Sequence, residues 1–228
     1  MSNFSVSGAR TAANEKGQQF SRTAWLTDVL RHRIVSGEYQ PGERIPEARL
    51  RAEFGFSNGP IREALQAIVA DGLAERAPWQ GVRIKALTDK QIIELFQVRA
   101  ALLEYAAELA TRSRSPATIS SAQELKRQLD RGYAKMAEAV HPSFQGQLSQ
   151  WLLAAAGNEA LRSIWERTML QTLVYVNVSI KKSRGAKSRV LVHQVIDTIC
   201  EGKVARARAA AREMTQQTLA DLGIPGTV

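Results

Sequence analysis

Apolar positions recur along this chain with helical spacing, and Gly and Pro decide where each run stops. Trp25, Val29, Leu30 and Ile34 share one face of a helix over about Thr23–Val35, closed by Gly37 and then Pro41-Gly42. A shorter helix follows over about Pro46–Phe54, with Leu50 and Phe54 facing inward. Ile61, Leu65, Ile68 and Val69 form the buried stripe of a third helix that ends at Gly72. Behind it, LAERA and VRIKA read as two short strands joined by the turn Pro78-Trp79-Gln80-Gly81. The order is helix, helix, turn, helix and two-stranded wing.

After Leu87 the punctuation thins and the runs lengthen. Thr88 and Gln91 form a capping box at the head of a helix that reaches about Arg112. Further helices are expected near Pro116–Ala137, Pro142–Ala156, Glu159–Lys181, Lys187–Glu201 and Lys203–Leu222. The short loops between them imply antiparallel neighbours. The predicted fold class is therefore mainly α: an N-terminal winged helix-turn-helix over 23–87, then an antiparallel bundle of about six helices over 88–228. Residues 1–22, rich in Ser, Asn, Gly and Gln, read as a disordered leader.

Charge narrows the choice of partner. The 228 residues carry a formal net charge of +9, which favours nucleic acid first and an anionic membrane surface second. The single cysteine, Cys200, can close no internal disulfide, so a reduced cytoplasmic compartment is the simplest reading. No apolar run approaches the roughly 20 residues of a membrane span. The leader also lacks the apolar core of a signal peptide. A membrane partner is not expected.

The stretch FGFSNGPIREALQAI, residues 54–68, gives the third helix an unusually bare front end. Ser57 sits at the N-cap position, and Pro60 falls where a missing N–H costs nothing. Ser57, Asn58 and Gly59 are small and polar, as a helix entering the DNA major groove tip-first requires. The free N–H groups and positive dipole end suit a phosphate. Asn58 has the donor and acceptor that match an adenine edge, and Arg62 can reach a phosphate or a guanine. In the wing, Gly81 lets the backbone approach a phosphate or the minor groove with Gln80 beside it, while Trp79 is expected to pack against the domain boundary.

Residues 24–87 resemble the winged-helix DNA-binding domain of the GntR superfamily, most specifically in SGEYQPGERI, PIREAL and ADGLAER. ELFQVRAALLEYAAELA and LLAAAGNEAL are similar to the effector-binding domain of the FadR subfamily. The resemblance implies a ligand-responsive transcription regulator, a repressor acting as a homodimer on a palindromic operator. It usually brings Ser-Arg-Thr-Pro to the recognition helix, where this chain has Ser57-Asn58-Gly59-Pro60. The usual base-reading arginine is thus Asn58. A second arginine common in the preceding helix falls at Ala48, with Arg49 beside it. An operator that departs from the family's guanine-containing half-site is expected.

In the second domain Ile92, Phe96, Leu103, Ala106 and Ala110 form one stripe, and Arg99 falls on it. A buried guanidinium needs an answering charge. Either an internal carboxylate such as Glu104 or Glu108 supplies it, or an anionic ligand does. The resemblance favours the ligand, because Arg99 matches an arginine that commonly faces the effector. Many relatives in this subfamily also hold a metal with one Asp and three His. Alignment places those ligands at Gln145, Ser149, Val192 and Met214, none of them a suitable type. His193 is one residue out of phase, and a lone imidazole makes no zinc site. The expectation is no metal and no cofactor. The effector would be a small organic anion, acyl or aromatic, bound by Arg99, Gln145, Ser149, Asn158 and Asn177, with Trp151, Trp165 and Tyr175 available as flat surfaces. KKSRGAKSR, residues 181–189, reads as a solvated connector. The competing class is an all-helical, metal-independent enzyme acting on a small organic acid; no nucleophile elbow or usable Ser–His pairing supports it.

Overall fold

A computed structural model describes the backbone of residues 7–77, 79, 81–135, 144–183 and 186–228. The chain divides into two compact units, Met1–Ala86 and Leu87–Val228.

The first unit contains α1 (Ser7–Ser36), β1 (Arg44–Ile45), α2 (Glu47–Phe54), α3 (Asn58–Ala70), β2 (Ala74–Ala77) and β3 (Gly81–Ile84). Its core joins Leu26, Leu30 and Ile34 of α1 to Leu50 of α2 and to Ile61, Ala64, Leu65 and Ile68 of α3. Ile45, Val82 and Ile84 close it from the sheet. Ion pairs fasten the helices at the surface. Arg31 grips Asp71 through Nε at 2.7 Å and Nη2 at 3.2 Å, and Arg33 pairs with Glu53.

Three details differ from the sequence reading. The first helix begins at Ser7, inside the stretch read as a disordered leader. That stretch contains no proline, and its Ala, Arg, Glu, Lys and Gln are good helix formers. The inward phase of α1 runs through Leu26, whereas Trp25 is half exposed and meets the Phe54 ring edge-on at 5.6 Å. The wing has three strands, in the order β1-β3-β2. Arg44 and Ile45 pair antiparallel with Arg83 and Val82, a partner too short to show alternation in the sequence.

Leu65 tests this core directly. Leu65→Ala is expected to cost about 2–5 kcal/mol of unfolding free energy, because a fully packed side chain leaves a cavity. Urea unfolding followed by circular dichroism reads the shift; a loss below about 1 kcal/mol would show that the site collapses and the packing is loose.

The second unit is a bundle of α4 (Asp89–Arg112), α5 (Pro116–Lys135), α6 (Phe144–Ala156), α7 (Glu159–Ser183), α8 (Ala186–Cys200) and α9 (Val204–Leu222). The expected capping box is present: Thr88 Oγ1 accepts from Gln91 N at 3.3 Å, and Gln91 Oε1 accepts from Thr88 N at 3.0 Å. Helix α4 is the hub and packs against α6, α7, α8 and α9. Ile92, Phe96, Leu103, Ala106 and Ala110 are buried as the periodicity predicts. Among the described residues no helix is long and apolar enough to cross a membrane.

Candidate nucleic-acid interface and buried cation site

Helix α3 is held from behind and open in front. Pro60 and Ile61 sink into the core, while Ser57, Asn58 and Gly59 stand exposed at the tip. Ser57 occupies the N-cap position with extended backbone, φ −68° and ψ 171°, yet its hydroxyl makes no capping hydrogen bond. The first turn carries no acidic residue. The positive end of the helix therefore faces outward with no side-chain oxygen laid across it.

The arginines near the tip differ in how they are occupied. Arg62 is exposed, and its Nε lies 3.2 Å from Glu47 Oε2 of α2. Arg49 is exposed on α2, one turn before Glu53. Arg51, which the sequence reading did not single out, donates from Nη1 to Asn58 Oδ1 at 2.6 Å. Only a structure finds that contact, because it crosses the turn between two helices. It also alters the role available to Asn58, whose amide oxygen is already engaged.

At the wing, Gly81 adopts φ 81°, and a Cβ added there would meet nothing within 4 Å. Glycine is thus required for conformation and not for space. Gln80 lies outside the described residues. Trp79 does not pack as expected: its side chain is fully exposed, with φ 62°. Register sets Arg44, Arg83 and Glu75 side by side across the sheet.

In the second unit Arg99 leaves α4 and enters the interior toward α7. It is 4% exposed. Its Nη1 donates to Thr172 Oγ1 at 2.9 Å, and that hydroxyl donates onward to the Met169 carbonyl at 2.8 Å. The guanidinium carbon lies 4.3 Å from the centroid of the buried Trp165 ring. The two carboxylates considered as internal partners are engaged elsewhere. Glu104 meets Arg212 at 2.7 Å and Arg208 at 3.5 Å; Glu108 meets Arg112 at 3.0 Å and Arg208 at 3.4 Å. Among the described residues no carboxylate pairs with Arg99. Burial without a counter-charge pushes its guanidinium well below the ordinary arginine range, down to about 9. It remains a cation at neutral pH. The Trp165 indole N–H is also buried without a hydrogen-bond partner among the described residues.

Among the other polar candidates, Asn158 is engaged away from Arg99. Asn158 caps α7, with Oδ1 accepting from Leu161 N at 3.0 Å, so its oxygen serves the helix. Ser149 is buried on α6 between Leu148 and Leu152. Gln145 lies on α6 and Asn177 on α7, but both side chains are outside the described residues. Trp151 donates to Ser121 Oγ at 3.0 Å, on the α5 side, and Tyr175 accepts from Leu87 N at 3.2 Å. Of the three aromatics, Trp165 alone touches the cation.

Val192 and Met214 are buried in the apolar core of the bundle. The described residues hold no group of three or more His, Cys, Asp or Glu able to bind a metal. His193 instead lines an open groove on the outside of α8 and α9 with Arg189, Asp197, Glu201 and Arg206. Its Nε2 lies 3.2 Å from Asp130, which also binds Arg189 at 2.8 Å. That groove is remote in chemistry from Arg99: Arg189, Asp197 and Glu201 are already paired, and the buried cation does not line it. Of the basic loop, Arg189 is thus tied to Asp130, and most of the remaining side chains lie outside the described residues.

A winged helix-turn-helix unit joined to an all-helical unit is the architecture these elements define. Residues 25–84 match the family described as bacterial regulatory proteins, gntR family, and residues 94–217 match the FCD domain. The chain belongs to the GntR family of DNA-binding transcription regulators, in the branch with a FadR-like C-terminal domain. It is 40% identical over 80 residues to the uncharacterized HTH-type transcriptional regulator YdhC of Bacillus subtilis, covering 35% of this chain and 36% of that protein. It is 24% identical over 155 residues to the gluconate operon transcriptional repressor of the same organism, covering 67% and 63%. The chain thus aligns with less than two thirds of the length of either relative. The solved structure of Escherichia coli McbR/YncC has the same fold, with a TM-score of 0.71 at 20% identity over 89% of this chain and 97% of that one. These relatives are regulators and not enzymes, which removes the competing enzymatic class.

Proposed function

We propose that this protein is a sequence-specific transcription repressor that binds a palindromic operator as a homodimer and responds to a small organic anion held by its helical unit. The observation that carries the reading is the exposed, uncapped and acid-free front of α3 on a winged scaffold. Phosphate oxygens at that front would meet free N–H groups, and Arg62 would exchange its solvent-exposed pairing with Glu47 for the duplex. Ser57, Asn58 and Gly59 would enter the major groove, with Arg49 on the flank and Gly81 and Gln80 at the wing. Two-fold symmetry would match two half-sites. The repressor sense follows the printed name of the gluconate operon relative.

Arg99 supports the effector half. A guanidinium buried with one hydroxyl and one ring face has unused donors, and a ligand carboxylate would provide the missing charge. The nearby indole N–H of Trp165 offers a second donor for the same ligand, and Ser149, Gln145 and Asn177 stay as outer candidates. An acyl or aromatic acid fits an apolar interior with so few polar groups.

Selection of binding sites from a random duplex pool, followed by anisotropy at physiological salt, tests the first half. The expected result is a two-fold symmetric sequence bound at least ~10³-fold more tightly than random DNA. Equal affinity for every duplex would defeat the reading. A panel of aromatic and acyl carboxylates, read by thermal shift and by release of the selected operator, tests the second half.

A further inference from the structure

We infer that Arg51, carried on α2 and steered by Asn58, is the guanidinium that reads a base in each operator half-site. This rests on the proposal that α3 enters the major groove tip-first. Asn58 is the exposed first residue of α3, and from its type alone it would read adenine, giving a donor to N7 and an acceptor to the exocyclic amine. In the structure the acceptor is engaged: Asn58 Oδ1 receives the Arg51 Nη1 proton at 2.6 Å. The adenine pairing would make that oxygen accept a second proton while it is held against a guanidinium, so the contact disfavours Asn58 as the sole reader. It also puts an arginine head beside the helix tip.

The neighbouring charges divide the arginines near the tip into paired and unpaired ones. Arg62 lies against Glu47, Arg33 against Glu53, and Arg31 against Asp71 and Asp28. Arg51 has no carboxylate partner among the described residues; its described side-chain bond is to the neutral Asn58 amide. Arg49, exposed on the same helix, likewise has no ion pair within 4 Å among the described residues, so what distinguishes Arg51 is its contact with the α3 tip. The amide also fixes one edge of the guanidinium, which limits its rotation and leaves the remaining N–H groups to face outward. A planar fork presented this way matches the O6 and N7 acceptors of guanine. A long cationic side chain and a short amide from different helices thus make one composite reader. Here Asn58 is the positioning residue and Arg51 the base-contacting one.

The test uses the full chain and operators selected by the wild-type protein, with every base pair of the half-site replaced in turn. Arg51→Ala is expected to flatten the preference at one G·C pair, losing about 5- to 150-fold discrimination there, while other positions keep theirs. Arg51→Lys retains most of the affinity and loses the same preference, since an ammonium cannot form the paired contact. Asn58→Ala weakens discrimination at that same base pair, and the double variant is no worse than Arg51→Ala. If Arg51→Ala instead weakens all sequences alike and leaves the selected sequence unchanged, Arg51 is a phosphate contact and the inference fails while the regulator reading stands. Discrimination at the G·C pair that survives Arg51→Ala but vanishes with Arg62→Ala also overturns it. If the wild-type protein selects no sequence at all, the underlying reading falls, a result distinct from either.

Discussion

Arg99→Met is expected to unfold at a higher temperature than the wild-type protein while losing its response to organic anions. Methionine keeps much of the side-chain length and removes a charge that is 4% exposed and lacks a described carboxylate partner. Replacing buried ionic groups with apolar ones is commonly neutral or stabilising by about 1–4 kcal/mol. For a chain of this size each kcal/mol raises the melting temperature by about 2–4 °C. Thr172 keeps its donated bond to the Met169 carbonyl, so the substitution strands no donor there. The stacking of Arg99 on Trp165 is lost and offsets part of the gain, about 1–2 kcal/mol for a desolvated pair. The pH dependence has a definite sign. The folded guanidinium sits at about 9, well below the ordinary arginine range that holds when unfolded, so its burial penalty is complete below about pH 9. Between that value and the ordinary range the unfolded state binds more protons, and wild-type stability gains on the variant as pH rises. Calorimetry at pH 7 and pH 10, with and without the carboxylate panel, reads all three effects. A variant that melts several degrees lower yet still answers the panel would remove Arg99 from the effector site.

Ser57→Asp should produce a second divergence of stability from function. Aspartate is a strong N-cap and adds a negative charge at the positive end of α3, together worth about 0.5–1 kcal/mol where the serine hydroxyl now makes no capping bond. The same carboxylate lies across the N–H groups proposed to meet phosphate and repels that phosphate. Charge-assisted hydrogen bonds are worth about 1.5–3 kcal/mol each, and the proposed dimer would lose one or more per half-site, so operator affinity should fall by ~10²-fold or more. Ser57→Asn, a cap without the charge, should lose far less. Anisotropy with the selected operator separates the three proteins. An aspartate variant that binds like wild type would show that phosphate never comes to this helix end.

The sequence pointed to the α3 tip through its small polar residues and to Arg99 through its place on an apolar stripe. Although the cap that Ser57 leaves unmade is seen only in the structure, the tip has Ser57, Asn58 and Gly59 in succession, and α4 carries a cation on an apolar stripe. Those features lie within a few residues of each other and can be read from spacing. The capping box at Thr88 and the buried face from Ile92 to Ala110 were legible for the same reason. What stayed hidden depends on distant partners. Trp165 meets Arg99 from 66 positions away, as the residue numbers show, and Arg51 meets Asn58 across a turn. The polarity of Asn158 is visible in the sequence, whereas the use of its oxygen as a cap for Leu161 N is visible only in the structure. The strand at Arg44–Ile45 was missed because two residues carry no periodicity.

That small strand has a mechanical consequence. Ile45 pairs with Val82 in the sheet, and Pro46 then leads directly into α2, while Glu43 and Gly42 exchange backbone bonds with Ile84. The hairpin and the helix bearing Arg51 therefore share one stiff splice. A duplex whose grooves are spaced wrongly for that splice must do the bending itself, so base-step pliancy at untouched positions would enter the affinity.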